Sequence, residues 1–71
     1  MTTKHSIYKR IQLTGTSPNS VEEAVNHAVL KASETIRHMR WFKIEEIRGV
    51  LGEDAVFEWQ VNVQIGFTLE D

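Results

Sequence analysis

The sequence predicts an α+β fold of the order β-α-β-β, a three-stranded antiparallel sheet with strand order 1-3-2 and one helix on one face. Three observations carry this. From Ala55 to Leu69 every odd position is apolar (Ala55, Phe57, Trp59, Val61, Val63, Ile65, Phe67, Leu69), while the even positions after Val56 are Glu58, Gln60, Asn62, Gln64, Gly66 and Thr68. A period of two is a strand with one apolar and one polar face. From Val21 to Met39 apolar residues recur at three- and four-residue spacing, the stripe of an amphipathic helix. Between these, Trp41 to Leu51 reads as a strand that runs into the turn Leu51-Gly52-Glu53-Asp54-Ala55 and so pairs as a hairpin with the long strand. The long strand exceeds the usual range of about 3–10 residues, which places it in the centre. The other two strands are joined through a helix, a connection that favours a parallel relation with a right-handed crossover. Inserting the long strand between them gives the 1-3-2 order.

His5 to Leu13 is the expected first strand, with Ile7, Ile11 and Leu13 on one side and Tyr8, Arg10 and Gln12 on the other. Lys9 interrupts the apolar side, as suits an edge strand. Thr14-Gly15-Thr16-Ser17-Pro18-Asn19-Ser20 is a turn and cap cluster. Ser20 followed by Glu23 forms a capping box, and Ser17 followed by Pro18 offers an alternative start one turn earlier. The helical stripe is Val21, Ala24, Val25, Ala28, Val29, Ala32, Ile36 and Met39, and its alanines allow close approach to a sheet. Glu22 and Glu23 in the first turn and Arg37, His38 and Arg40 at the end follow the helix dipole. In the second strand the apolar positions switch from even (Phe42, Ile44) to odd (Ile47, Leu51), which requires a β-bulge near Glu45 and Glu46. With the bulge in place, these four residues face the helix, and Trp41, Lys43, Arg48 and Val50 share the opposite face.

Pairing Leu51 with Ala55 sets Arg48 opposite Glu58, Trp41 opposite Gln64, and Gln60 across from the two glutamates. A tryptophan, an arginine and two glutamines then gather on the face that the helix leaves open.

Composition narrows the function. The 71 residues, 1–71, make a single domain, and a domain of this size buries only about 60% of the surface of its unfolded chain. Without cysteine there is neither a disulfide framework nor a Cys-based zinc site, so oligomerisation is the expected source of further stability. Eight Lys plus Arg against ten Asp plus Glu, with no long run of either sign, argue against nucleic acid and anionic membrane as partners. No apolar run approaches the ~18 residues of a membrane span, and Met1-Thr2-Thr3-Lys4-His5 has no signal-peptide character, so a cytoplasmic location is expected. His5, His27 and His38 share no metal-ligand spacing, no general-base histidine is placed by a carboxylate, and no nucleophile stands out. The expectation is a protein with no metal site and no catalytic residues.

The open face admits two readings. Trp41 is either an anchor in a subunit interface, where tryptophan is enriched, or a stacking surface for a flat aromatic ligand. An isoalloxazine ring has a broad face and a pyrimidine edge that needs a hydrogen-bond acceptor beside donors. A primary amide such as Gln60 supplies both, and Arg48 can donate to a ring oxygen or a phosphate. A base-stacking nucleic-acid binder is a third possibility, opposed by the acidic net charge.

Over nearly its whole length the chain resembles the dodecins. The likeness is carried by Leu13-Thr14-Gly15-Thr16-Ser17-Pro18, Glu22-Glu23-Ala24-Val25, Arg40-Trp41-Phe42, Ile47-Arg48-Gly49, Trp59-Gln60-Val61 and Val63-Gln64-Ile65-Gly66-Phe67, in this order and spacing. Dodecins are small β-α-β-β proteins that assemble as hollow twelve-subunit spheres and bind flavins without catalysing a known reaction. The resemblance implies that Trp41 stacks on the flavin and pairs with its copy from a neighbouring subunit, that Gln60 holds the pyrimidine edge, and that Arg48 is a nearby basic contact. It implies a homododecamer that stores, buffers or sequesters flavin, FMN first and riboflavin or FAD otherwise. Some relatives also bind coenzyme A. Where many have a basic residue this chain has Thr68, which puts an anion contact there in question.

Overall fold

Alternation is most regular in the last third of the chain, and there the central strand forms. The computed structural model describes residues 6–69 and contains β1 (Tyr8–Ser17), α1 (Val21–Ser33), β2 (Met39–Leu51) and β3 (Val56–Thr68). The sheet order is β1-β3-β2, antiparallel at both seams. Val61, Val63 and Ile65 from the odd face of β3 are fully buried against Ala24, Val25, Ala28 and Ala32 of α1. The alanines do what their size predicts: α1 comes so near β1 that Gly15 has no room for a side chain, a Cβ there lying 1.9 Å from the Ala24 carbonyl oxygen. The expected start of β1 at His5 lies outside the described residues. The strand continues past Leu13 through Ser17, so part of the predicted turn cluster is strand, its Thr14, Gly15 and Thr16 paired with Asn62, Val61 and Gln60.

The helix starts as its cap predicts and stops early. Ser20 Oγ accepts from Glu23 N at 3.0 Å. The reciprocal half of the capping box is replaced: Glu23 accepts from Ser17 Oγ and from Asn19 Nδ2, and buried Ser17 in turn accepts from the backbone N–H of Asn19 and Ser20. Ser17 is therefore a junction between β1 and the helix, and not an alternative cap. The bonds from Ser17 first and Asn19 second hold the Glu23 carboxyl below the ordinary glutamate range. A depressed carboxylate stabilises the fold at pH above its unfolded-state value, and this contribution is lost as the pH falls through the folded value. Thermal unfolding followed down the acid limb should show that loss, and Glu23→Gln should flatten it. An acid limb unchanged by the substitution would remove Glu23 from the account.

The stripe's continuation to Ile36 and Met39 had suggested a helix reaching Met39, but α1 ends at Ser33. The Glu34 N–H bonds to the carbonyls of Lys31 and Ala32, and His38 takes a left-handed φ of 64°, turning the chain into β2. Ile36 from this turn and Met39 from the first position of β2 still pack on the core, which is why the spacing persisted after the helix stopped. Arg37, His38 and Arg40 consequently lie beyond the helix, and Lys31 alone is basic in its last turn.

The bulge expected near Glu45 is present between Ile44 and Glu46, with two further irregularities at Met39/Trp41 and Val50/Leu51. The expected register is displaced by two: Arg48 pairs with Gln60 instead of Glu58, and Trp41 with Gly66 instead of Gln64. One residue of this comes from the hairpin, where Leu51 pairs with Val56, and one from the bulge beside it. From Val50 back to Trp41 the displacement is even and leaves the side chains on their expected faces, but Leu51 is displaced by one: it pairs with Val56 of the even row and does not join Phe42, Ile44 and Ile47 on the helix side as expected.

The cover over β2 differs more. Phe42, Ile44 and Ile47 do lie on the helix side, opposite Ile65, Val63 and Val61, but α1 packs on β1 and β3. The three remain 51%, 39% and 49% exposed, and a cleft of about 620 Å³ lies between β2 and the helix. The radius of gyration is 15.3 Å, against about 11 Å for a compact domain of this length.

Candidate functional site

On the face away from α1, the even positions of β3 run as a central row, with Tyr8, Arg10, Gln12 and Thr14 of β1 on one side and Trp41, Lys43, Glu46 and Arg48 of β2 on the other. Trp41, Arg48 and Gln60 all stand on this open face, as the alternation requires. The structure brings two of them together. Arg48 Nε donates to Gln60 Oε1 at 2.8 Å, and Gln60 Nε2 donates to Glu58 Oε2 at 2.8 Å, so both ends of the amide are oriented. Arg48 also pairs with Glu46, and its second Nη reaches Asn62 Oδ1 at 3.4 Å. Asn62 accepts from Thr14 Oγ1 at 2.8 Å and donates to Glu46 at 2.9 Å. Asn62 is thus part of a network that spans all three strands, more than the solvated strand residue its sequence position suggested.

Trp41 stands apart from this network. Its partner Gly66 is six residues along β3 from Gln60, about 20 Å at the rise of an extended strand. The indole lies across Gly66, occupying the space where a Cβ would project: such an atom would be 2.1 Å from Cε2, 2.2 Å from Cζ2 and 2.7 Å from Nε1. Tyr8 flanks it, the two ring centroids 6.2 Å apart and inclined at 59°. Just over a third of Trp41 remains exposed. Gly66 and Tyr8 are neighbours of the ring that residue-type reasoning passed over, while Glu58, expected opposite Arg48, instead holds the Gln60 amide. Of the two neighbours, only Gly66 had a sequence signal, an isolated glycine inside a strand, which often marks a close approach.

Charge is distributed unevenly along the face. At the Gln60 end Arg48 is balanced by Glu46, with Glu58 beyond the amide. At the Trp41 end, Arg10 is in register with Gly66 and Lys43 with Gln64, and neither is paired with a carboxylate among the described residues. Thr68, in register with Tyr8, adds no charge there. Among the described residues no three His, Cys, Asp or Glu side chains are grouped to hold a metal ion, and no helix is long and apolar enough to cross a membrane.

The dodecin family model matches residues 7–70. Among curated proteins, the dodecin of Thermus thermophilus is 45% identical over 65 residues, which cover 92% of this chain and 94% of the relative. A crystal structure of a Thermus thermophilus protein superposes with a TM-score of 0.90 at 43% identity, covering 94% of this chain and 98% of that one. Dodecin from Streptomyces coelicolor does so with a TM-score of 0.91 at 38% identity, covering 97% and 99%. By sequence match and by superposition, this β-α-β-β chain belongs to the dodecin family, small self-assembling proteins that bind flavin.

Proposed function

We propose that the protein stores or buffers flavin in the cytoplasm as a hollow homododecamer, stacking the isoalloxazine ring on Trp41 and holding it without turnover. The observation that carries this reading is the indole held on an uncovered sheet face, some 20 Å along β3 from the oriented Gln60 amide. A single flavin ring cannot span that distance. The ring therefore stacks on Trp41 of one chain while the Gln60 of a neighbouring chain meets its pyrimidine edge, with Arg48 as the adjoining basic contact. A ring enclosed between two indoles is shut away from a second substrate, which suits storage and not catalysis.

Arg10 and Lys43 beside Trp41 favour an anionic ligand, so FMN is the expected flavin ahead of riboflavin, with FAD as the larger phosphorylated alternative. The test is an extraction and a titration. Flavin released from purified protein is identified by chromatography, and FMN, riboflavin, FAD and coenzyme A are titrated into the emptied protein. FMN should bind with strong quenching and weaken as salt is raised. A colourless protein that quenches no flavin would end the reading.

Gln60 gives a narrower test. Leaving the ring's polar edge unpaired on burial should cost about 1–3 kcal/mol. Gln60→Ala should thus weaken binding about ten- to a hundredfold. A superimposable titration curve would show instead that the amide serves only Arg48 and Glu58.

A further inference from the structure

A side chain can present a ring for stacking only if something fixes the ring, and on this sheet the fixing element is an absence. The backbone at Gly66 needs no glycine for its own conformation, since no glycine here has a positive φ. Gly66 is a buried position in the middle of a paired strand, where glycine is disfavoured for its entropy and its lack of packing surface. Its neighbours on the same face of β3, Gln64 and Thr68, both carry side chains. What is particular to position 66 is the indole of Trp41, three of whose atoms lie within 2.7 Å of where a Cβ would be. Tyr8 bounds the ring from the β1 side.

We infer that Gly66 is a positioning residue for flavin binding: the missing Cβ makes a seat in the sheet that sets the height and tilt of the Trp41 ring. A Cβ at position 66 would fall well inside contact distance of the ring, so any larger residue displaces the indole from this seat. The obstructing group at Gly66 is a side chain that can rotate, unlike the carbonyl that faces Gly15. A substitution at 66 therefore misplaces the ring while the strand and the assembly persist. The assignment rests on the flavin reading for its consequence but not for its geometry, and the two are tested separately.

Gly66→Ala should leave the size-exclusion profile unchanged, alter the near-ultraviolet circular dichroism contributed by Trp41 in the flavin-free protein, and weaken FMN binding about tenfold or more. The same substitution in a Trp41→Phe background, where the smaller ring leaves more room, should cause little further loss of affinity. A purely structural glycine would lower affinity by the same factor in both backgrounds, and that result overturns the inference. So does a Gly66→Ala protein whose dichroism and affinity match the parent. If the parent itself binds no flavin, the dichroism still decides: an unchanged Trp41 signal in Gly66→Ala removes the seat, and a changed one upholds it while the flavin reading falls.

Discussion

Trp41→Ala is expected to leave flavin bright and free in solution while the assembly elutes at its parental volume. The indole is an electron donor, and contact with an electron-poor isoalloxazine ring quenches flavin emission, so the titration reads stacking directly. Stacking of a planar ring on an aromatic side chain is worth about 1–3 kcal/mol per ring in base-binding proteins, and a sandwich between two indoles loses both faces at once. The loss should therefore exceed that for Gln60→Ala and approach complete loss of binding at micromolar flavin. Survival of the assembly is expected because the larger uncovered apolar surface is on the other side of the sheet, at Phe42, Ile44 and Ile47. Size-exclusion chromatography run beside the titration separates the two readings of Trp41. If the assembly falls apart, the tryptophan is an interface anchor. If it stays whole and still quenches flavin fully, the stacking role is also lost.

Gly15→Ala should have the largest effect on folding of any single methyl added to this chain. Gly15 pairs with Val61 on the helix side of the sheet, and a Cβ there would stand 1.9 Å from the Ala24 carbonyl oxygen, 2.9 Å from its carbon and 3.0 Å from the Ala28 Cβ. Two of these atoms are backbone, which no rotamer change can move, so α1 must shift away from β1. Overpacking of a core commonly costs about 1–3 kcal/mol, and this geometry belongs at or beyond the upper end. Denaturant unfolding at fixed protein concentration should show a loss of about 3 kcal/mol, a large share of the stability of a small domain. A parental midpoint would mean that the helix can give way at little cost. The contrast with Gly66→Ala, where the same methyl meets a movable ring, separates a glycine that shapes the fold from one that shapes a side chain.

The sequence pattern made strand order and sidedness legible because period two and period 3.6 are set by covalent geometry. Val61, Val63 and Ile65 could face only one way, and Trp41, Arg48 and Gln60 had to share the other face. The bulge near Glu45 was legible for the same reason, since apolar positions that change parity within one strand require an extra residue. Distances along the strands were not. The hairpin loop and the bulge at Val50 each moved the pairing by one residue, and neither changes the apolar pattern, so Trp41 and Gln60 could be placed on one face but not located along it. The helix end was hidden because Ile36, in the turn that closes on His38, and Met39, the first residue of β2, keep the core spacing after the helix has stopped. Gly66 was visible as an odd residue in a strand, but its meaning depended on the register that put Trp41 beside it.

The apolar surface of β2 that the helix leaves bare has a consequence for what folding means in this protein. Phe42, Ile44 and Ile47 are strand residues whose helix-side surface is covered only in part within the chain, and the radius of gyration is that of an elongated molecule. In a family that self-assembles, contact with other copies can supply burial that the chain itself leaves unfinished, and such burial scales with how many copies are present. To the extent that assembly covers this surface, dilution acts as a denaturant does, and a melting temperature has meaning only together with the concentration at which it was taken.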